Sequence, residues 1–195
     1  NAFSAYVMFR TPATFANSTI WSTTSSTTGA TGSRFGYSLD FRATGKLRVT
    51  SYTSGGNVNT AEHGALLPNT TYRALIIKTA GSPNISLYLN SLTYMVAGTG
   101  MAESNANLQG MVIGKDSNSN ASYFAGQVED VAVWRSVLSN ADINTLFETK
   151  RRPTDLTVQP DDYWPLVADD DAPTAGTYDL VRTGPAIAAS TLITA

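Results

Sequence analysis

The chain has 195 residues, no cysteine and a formal net charge of −2. This length suits a single β-sandwich domain, and a 42% share of hydrophobic residues is enough for a core without disulfides. The absence of cysteine excludes disulfides and thiolate metal sites. The weakly negative charge argues against a nucleic-acid-binding protein, which needs a basic face. No apolar run reaches the roughly 18 to 20 residues of a membrane span.

Alternation of apolar and polar residues with a period of two dominates the chain and predicts β-strands. In the first predicted strand, Phe3, Ala5, Val7 and Phe9 share one face. Six further strands are predicted around residues 37–41, 47–49, 72–78, 85–89, 111–113 and 128–134. Turn clusters rich in Gly, Asn and Ser separate them. This spacing predicts an all-β fold, a two-sheet antiparallel sandwich or barrel.

One short helix is predicted near residues 140–148. Ser139 has the character of an N-cap, with Asp142 three residues later in a variant of the capping box. Leu138 before the cap and Ile143 in the helix form the pair of a hydrophobic staple. Pro153 blocks continuation of the helix. The pattern therefore predicts a two-turn helix between two strands.

Residues 123–134 read Tyr-Phe-Ala-Gly-Gln-Val-Glu-Asp-Val-Ala-Val-Trp, and a Leu-Ser pair follows at Leu138 and Ser139. This segment resembles the C-terminal signature of laminin-G-like, pentraxin-type jelly rolls of the concanavalin A-like class. Segments at 36–39, 67–72, 87–90 and 111–114 follow in the order of that family's strand pairs, so that the resemblance covers about residues 1–148. It implies a concanavalin-like jelly roll. It does not fix a function, because this fold hosts lectins, adhesion modules, glycosidases and passive decorations.

The C-terminal part of the chain departs from that order. Residues 162–166 (Asp-Tyr-Trp-Pro-Leu) resemble the strand that usually opens such a domain. We treat 1–195 as one domain in which 154–195 supply either closing strands, pairing beside the first strand, or a C-terminal extension. Residues 186–195 are apolar enough to be a strand that docks within the fold or on a partner. Because the chain starts at Asn1 and enters a strand pattern at once, we expect a processed product or a piece of a longer polypeptide.

No catalytic group is predicted. A retaining glycosidase needs two carboxyl groups about 5 Å apart, but Glu129 and Asp130 are adjacent and point to opposite faces of a strand. The resemblance implies a structural role for the acidic residue here. His63 is the single histidine, and its polar surroundings predict an exposed loop residue. We therefore expect a protein that is not an enzyme and has no cofactor.

A calcium loop is the one metal site that the sequence suggests. Asp116, Asn118 and Asn120 alternate as oxygen ligands would. However, a turn built from Asx residues gives the same sequence without a metal, and we favour the turn.

Carbohydrate recognition needs aromatic rings to stack on sugar C–H surfaces and amides to bond the hydroxyls. Candidate ligand-binding residues near predicted loops are Tyr52, Asn57, Asn59 and Tyr123, with Tyr94 and Trp164 as further aromatic candidates. For each ring taken alone, packing in the core is favoured over ligand binding.

Two functions remain open. The first is a non-catalytic surface domain that binds a glycan or a protein surface. The alternative is a structural decoration, spike or fibre domain of a virus or phage particle, or of another extracellular assembly. The 14% share of charged residues and the many hydroxyls suit both. Either function predicts a location outside the cell or on a particle surface, with no nucleic-acid partner, and allows a homo-oligomer or larger assembly.

Overall fold

The computed structural model describes residues 2–24, 36–52, 58–80, 85–93, 95–98, 110–116, 122–148 and 151–166. They form two antiparallel sheets and one α-helix, as the sequence predicts. The eleven strands described are β1 (Phe3–Arg10), β2 (Ser18–Thr24), β3 (Gly36–Phe41), β4 (Lys46–Tyr52), β5 (Val58–Ala65), β6 (Thr71–Lys78), β7 (Ile85–Leu89), β8 (Met95–Gly98), β9 (Gly110–Ile113), β10 (Gln127–Trp134) and β11 (Asp162–Pro165). Helix α1 spans Asn140–Phe147, and a 3-10 turn follows at Pro153–Asp155.

Sheet A has the strand order β11-β10-β1-β6-β7-β8, and sheet B has the order β5-β4-β3-β2-β9. All pairs in both sheets are antiparallel. The core lies between the sheets and is filled by the apolar residues that point to one side of each strand. Its largest members include Phe9, Trp21, Leu39, Phe41, Leu47 and Ile76. This arrangement is the two-layer sandwich that alternation with a period of two requires.

Sheet A is covered on its outer face as well. Helix α1 places Ile143 and Leu146 there, against Leu75 and Trp134 of the sheet. This double coverage explains why β6 is nearly continuous in apolar residues, with Ala74 and Ile76 in the central core and Leu75 and Ile77 beneath the helix.

The predicted start of α1 is confirmed. Ser139 is the N-cap, its hydroxyl accepts from the backbone N–H of Asp142 at 3.2 Å, and it donates to the Asp142 carboxylate at 2.6 Å. Leu138 and Ile143, the predicted staple, are both buried in the cluster beneath the helix. Pro153 begins the 3-10 turn.

Two glycines, Gly126 in the predicted signature and Gly45 in the turn between β3 and β4, lie at positions that disfavour other residues. A Cβ on Gly126 would lie 2.2 Å from the carbonyl oxygen of Arg10 and 2.5 Å from the Phe124 ring, so only glycine fits between them. Phe124 itself packs into the core and stacks on Phe41, with ring centroids 5.8 Å apart. Gly45 adopts a φ of +77° in the turn between β3 and β4, a conformation that L-residues rarely take.

Several strand predictions need correction. The predictions omitted β2, β5 and β8, because their sequences are rich in Ser, Thr, Asn, Gly and Ala and show little apolar alternation. The closing strand is present as β11, but it pairs with β10 and not with the first strand; β1 lies on the other side of β10. The segment 186–195 lies outside the described residues, and its docking role stays a prediction. In the described part of the chain, no helix is long and apolar enough to span a bilayer.

Candidate functional site

The outer face of sheet B differs from that of sheet A, because α1 packs on sheet A alone. In β3 and β4 the apolar residues Leu39 and Val49 turn into the core. Since side chains alternate along a strand, Ser38, Asp40 and Thr50 point to the outer face.

Cross-strand register aligns these polar positions in rows. Arg48 pairs with Asp40 on one side and with Glu62 on the other, and Asp40 pairs with Thr19. The next row consists of Thr60, Thr50, Ser38 and Ser22. We call these rows, with Tyr52 and Tyr123 at their borders, the polar face. Ser22, Ser38 and Thr50 within it are buried, whereas Thr60 is exposed.

An ion pair occupies the middle of the polar face. Arg48 donates from Nε to Asp40 Oδ2 at 2.7 Å, and its Nη2 also donates to that oxygen. The other oxygen, Oδ1, accepts from the Ser38 hydroxyl at 2.6 Å and more weakly from the Thr50 hydroxyl at 3.4 Å. The Asp40 side chain is 7% exposed and that of Arg48 is 17% exposed. A buried carboxylate with this many donors fixes the arginine in one orientation.

The guanidinium of Arg48 keeps donor capacity. It carries five N–H groups, and its only hydrogen-bond partner among the described residues is Asp40. The Arg48 side chain as a whole is 17% exposed. The arrangement can therefore offer preorganised N–H donors to a sugar hydroxyl or carboxylate oxygen.

A second, exposed group of charges borders the face on the β5 side. Glu62 accepts from Lys46 Nζ at 2.9 Å and lies 3.9 Å from Arg42 Nε. These side chains are 31% to 49% exposed. Such pairs contribute little to stability, so their charges are available to a ligand.

The structure brings two of the predicted ligand residues to the polar face. Tyr52 ends β4, two residues after Thr50 and in the same phase. Tyr123 forms a parallel bridge with Thr19, and residues paired in this way project to the same side. Tyr123 is 53% exposed, whereas its neighbour Phe124 packs into the core. Tyr52 therefore borders the polar face at the end of β4, and Tyr123 borders it beside Thr19 of β2.

The other predicted ligand residues are Asn57, Asn59, Tyr94 and Trp164. Asn57 and Tyr94 lie outside the described residues. Asn59 lies within β5, opposite Ser51, and not in a loop. Trp164 lies in β11, is partly buried and packs against the central core, which is the role that the sequence analysis favours for each ring taken alone.

The predicted calcium loop stays a prediction. Asp116 is half-buried after β9, and Asn118 and Asn120 lie outside the described residues. Within the described ranges, no three His, Asp or Glu side chains come together as a metal site would require.

The prediction for His63 was wrong. It lies in β5, is 1% exposed, and its Nε2 is 3.2 Å from the carbonyl oxygen of Leu87 in the opposite sheet. A polar residue at an inward-facing position of β5, within a polar sequence, was taken for part of a loop. By contrast, Asp130 accepts a 2.6 Å hydrogen bond from the Tyr163 hydroxyl, which joins β10 to β11; this matches the predicted structural role of the acidic residue.

Sequence reasoning missed Asp40 and Arg48. The signal was present in the polar phase of two predicted strands, where Ser38 and Asp40 alternate with core residues, as do Arg48 and Thr50. Only the cross-strand register shows that Arg48 and Asp40 are opposite each other.

A laminin-G model of the concanavalin A-like lectin/glucanases superfamily matches residues 1–144. A search of curated proteins finds no match. The fold is similar to the CBM40 module of the Ruminococcus gnavus IT-sialidase, bound to α2,3-sialyllactose, with a TM-score of 0.57 and 16% identity over 73% of this chain and 80% of that one.

Two further structures are similar. A Bacteroides ovatus protein assigned to carbohydrate binding gives a TM-score of 0.57 at 18% identity, over 85% of this chain and 45% of that one. The receptor-binding domain of botulinum neurotoxin type G gives 0.53 at 11% identity, over 75% and 37%. At these identities the likeness shows a shared fold. The family match is the stronger finding, since it spans most of the chain, and the chain belongs to the concanavalin A-like lectin/glucanases superfamily.

Proposed function

We propose that this protein is a non-catalytic glycan-binding domain whose ligand site is the polar face. The observation that carries the proposal is the Arg48–Asp40 pair, which holds N–H donors in one orientation on a sheet face that no described helix covers. Ligand sites usually combine aromatic side chains with a small number of precisely placed polar groups.

Each part of the face has a role in this proposal. The Arg48 N–H groups donate to ligand oxygens. The ring of Tyr123 supplies an exposed apolar surface for sugar C–H groups, and Tyr52 supplies a second one. Ser38 and Thr50 act indirectly, because they are buried and hold the Asp40 carboxylate.

The similar structures agree with this class of ligand. The R. gnavus module is bound to a sialylated sugar, and the B. ovatus protein is assigned to carbohydrate binding. A domain of this class acts on surfaces or outside the cell, which is the location that we propose. No structural observation favours the alternative of a particle decoration domain, and it stays a prediction from composition.

A glycan array of the purified protein, run with calcium and again with a chelator, tests the proposal. We expect at least one glycan class to be bound, and we expect Tyr123→Ala to lose that signal without a change in the unfolding midpoint. Signal that is lost on chelation would point to the loop at Asp116. An array that stays blank under both conditions would contradict the proposal.

A further inference from the structure

Two cations at the border of the polar face share one carboxylate. Lys46 Nζ donates to Glu62 Oε1 at 2.9 Å, and Arg42 Nε lies 3.9 Å from Glu62 Oε2. Within the described ranges, the charged ends of Arg42 and Lys46 have no other ion-pair partner. One negative charge at this border therefore faces two positive charges.

The backbone fixes both cations beside Arg48. The N–H of Arg42 donates to the Lys46 carbonyl at 3.0 Å, across the turn that joins β3 and β4. Lys46 precedes Arg48 by two residues in β4, so both side chains project to the outer face of sheet B. Glu62 pairs with Arg48 from the neighbouring strand β5. The border cations and the buried arginine thus lie on one continuous surface.

The charges of this surface do not cancel. Arg42, Lys46 and Arg48 are positive, whereas Asp40 and Glu62 are negative. Because Arg48 and Asp40 are paired inside, the excess positive charge lies at the border, where the Arg42 and Lys46 side chains are 49% and 47% exposed. The whole chain has a net charge of −2, so this excess is a local feature and does not reflect a generally basic protein.

We propose that the polar face selects glycans that carry a negatively charged group, a carboxylate or a sulfate. This inference rests on the proposed glycan-binding function and adds the charge class of the ligand. The anionic group of the bound glycan accepts from an N–H of Arg48 that Asp40 leaves unused, and Arg42 and Lys46 balance its charge. Hydrogen bonds between charged partners are stronger than those between neutral ones.

Glu62 competes with the ligand for the border cations. Exposed ion pairs contribute little to stability, and the contact of Arg42 with Glu62 is long, so Arg42 gives it up at little cost. A neutral sugar can occupy the Arg48 donors but leaves the excess positive charge unbalanced. The charged glycan is therefore the better match for this surface.

Matched pairs of glycans test the inference, for example lactose with and without a terminal sialic acid, and N-acetyllactosamine with and without a sulfate. Calorimetric titration into the full chain gives the affinity of each member. We expect the charged member of a bound pair to bind about tenfold more tightly than its neutral core. High salt should remove most of this preference, since the border cations are exposed and screened.

Three variants assign the preference to this surface. Arg42→Gln and Lys46→Gln should each lower the affinity for the charged glycan by about threefold, and Glu62→Gln should raise it by about as much. None of them should change the affinity for the neutral core. Arg135→Gln is the matched control, because Arg135 is an exposed arginine that follows β10 in the other sheet, and it should leave both affinities unchanged.

Two results would overturn the inference, and they differ in what they say of the glycan-binding function. Equal binding of the charged and neutral members, or an equal response of both members to Glu62→Gln, would refute the charge selectivity and leave the glycan-binding function standing. Binding of neither member in any pair on the array would refute both.

Discussion

Arg48 and Asp40 lie opposite each other on β4 and β3, and both hydrogen bonds of the guanidinium end on the same carboxylate oxygen, Oδ2. The other carboxylate oxygen is occupied by Ser38 and Thr50. Both carboxylate oxygens of Asp40 therefore accept hydrogen bonds, whereas Arg48 keeps N–H groups that bond to no described residue. Within the proposed site, Asp40 is thus a positioning residue and Arg48 a ligand-contacting one.

The first prediction concerns this pair. Asp40→Asn leaves a guanidinium that is largely buried without its counter-charge, and we expect a loss of about 3 kcal/mol in the free energy of unfolding. Urea denaturation measures it. As control, Glu62→Gln removes the exposed pairs with Lys46 and Arg42 and should cost less than about 1 kcal/mol. Equal losses in the two variants would show that the Arg48–Asp40 pair is not buried as described.

The second prediction concerns the close approach at Gly126. Gly126→Ala forces a Cβ against the Arg10 carbonyl and the Phe124 ring. We expect the free energy of unfolding to fall by about 3 kcal/mol, the upper end of the range for overpacked cores. Gly114→Ala is the matched control: its φ of +85° strains the new residue, but no atom lies within 4 Å of the added Cβ. We expect Gly114→Ala to lower the free energy of unfolding by about 1 kcal/mol. A larger cost at Gly114 than at Gly126 would contradict this packing.

The third prediction concerns alkaline pH. Burial raises the pKa of both Tyr6 and Tyr163 above the ordinary value of 10.0, and the hydrogen bond and charge of Asp130 add to the rise at Tyr163. Above about pH 10 the unfolded chain loses these protons while the folded chain keeps them. The contribution of these two tyrosines to the free energy of unfolding is therefore fully present below pH 10. Above that pH it falls by about 1.4 kcal/mol per pH unit for each tyrosine.

Urea midpoints between pH 8 and 11.5 measure this slope. Tyr163→Phe lowers the stability at neutral pH, because Asp130 loses its donor, but it should reduce the alkaline slope by about half of the combined contribution of the two tyrosines. A slope that does not change in this variant would mean that Tyr163 titrates normally in the folded protein.

The fourth prediction concerns the C-terminal boundary. The family match ends at residue 144, yet Leu156 and Tyr163 pack beneath α1, and Leu166 reaches the central core. A chain that ends at Glu148 exposes the edge of β10 and removes these residues. We expect it to aggregate or to unfold at a much lower urea concentration than the full chain. A soluble truncated chain with a full-length midpoint would show that β11 is dispensable.

The strands with strong apolar alternation could be predicted from the sequence, because their pattern reflects a core on one side. The phase of Phe3, Ala5, Val7 and Phe9 is confirmed in β1. Strand β5 escaped prediction, since its inward positions include His63, a polar residue that is satisfied by the carbonyl of Leu87 across the core. Polar residues buried by tertiary contacts carry no local signal of burial.

The candidate site was only half predictable for a related reason. Tyr52 and Tyr123 were chosen as aromatic residues near loops, and the structure places both on the polar face. Arg48 and Asp40 are eight residues apart in the chain, and the contact between them depends on the register of the β3–β4 hairpin. A one-residue slip would have turned both into the core.

The most direct test of the glycan-binding proposal is calorimetric titration of the strongest array ligand into the wild type, Arg48→Gln and Arg10→Gln. Arg10 is exposed on the other sheet and is the matched control. We predict a loss of affinity of at least tenfold for Arg48→Gln and an unchanged affinity for Arg10→Gln. Both variants should keep a native circular dichroism spectrum, although Arg48→Gln lowers the free energy of unfolding because the buried Asp40 carboxylate loses its counter-charge. Full affinity in Arg48→Gln would contradict the assignment of the polar face as the glycan site.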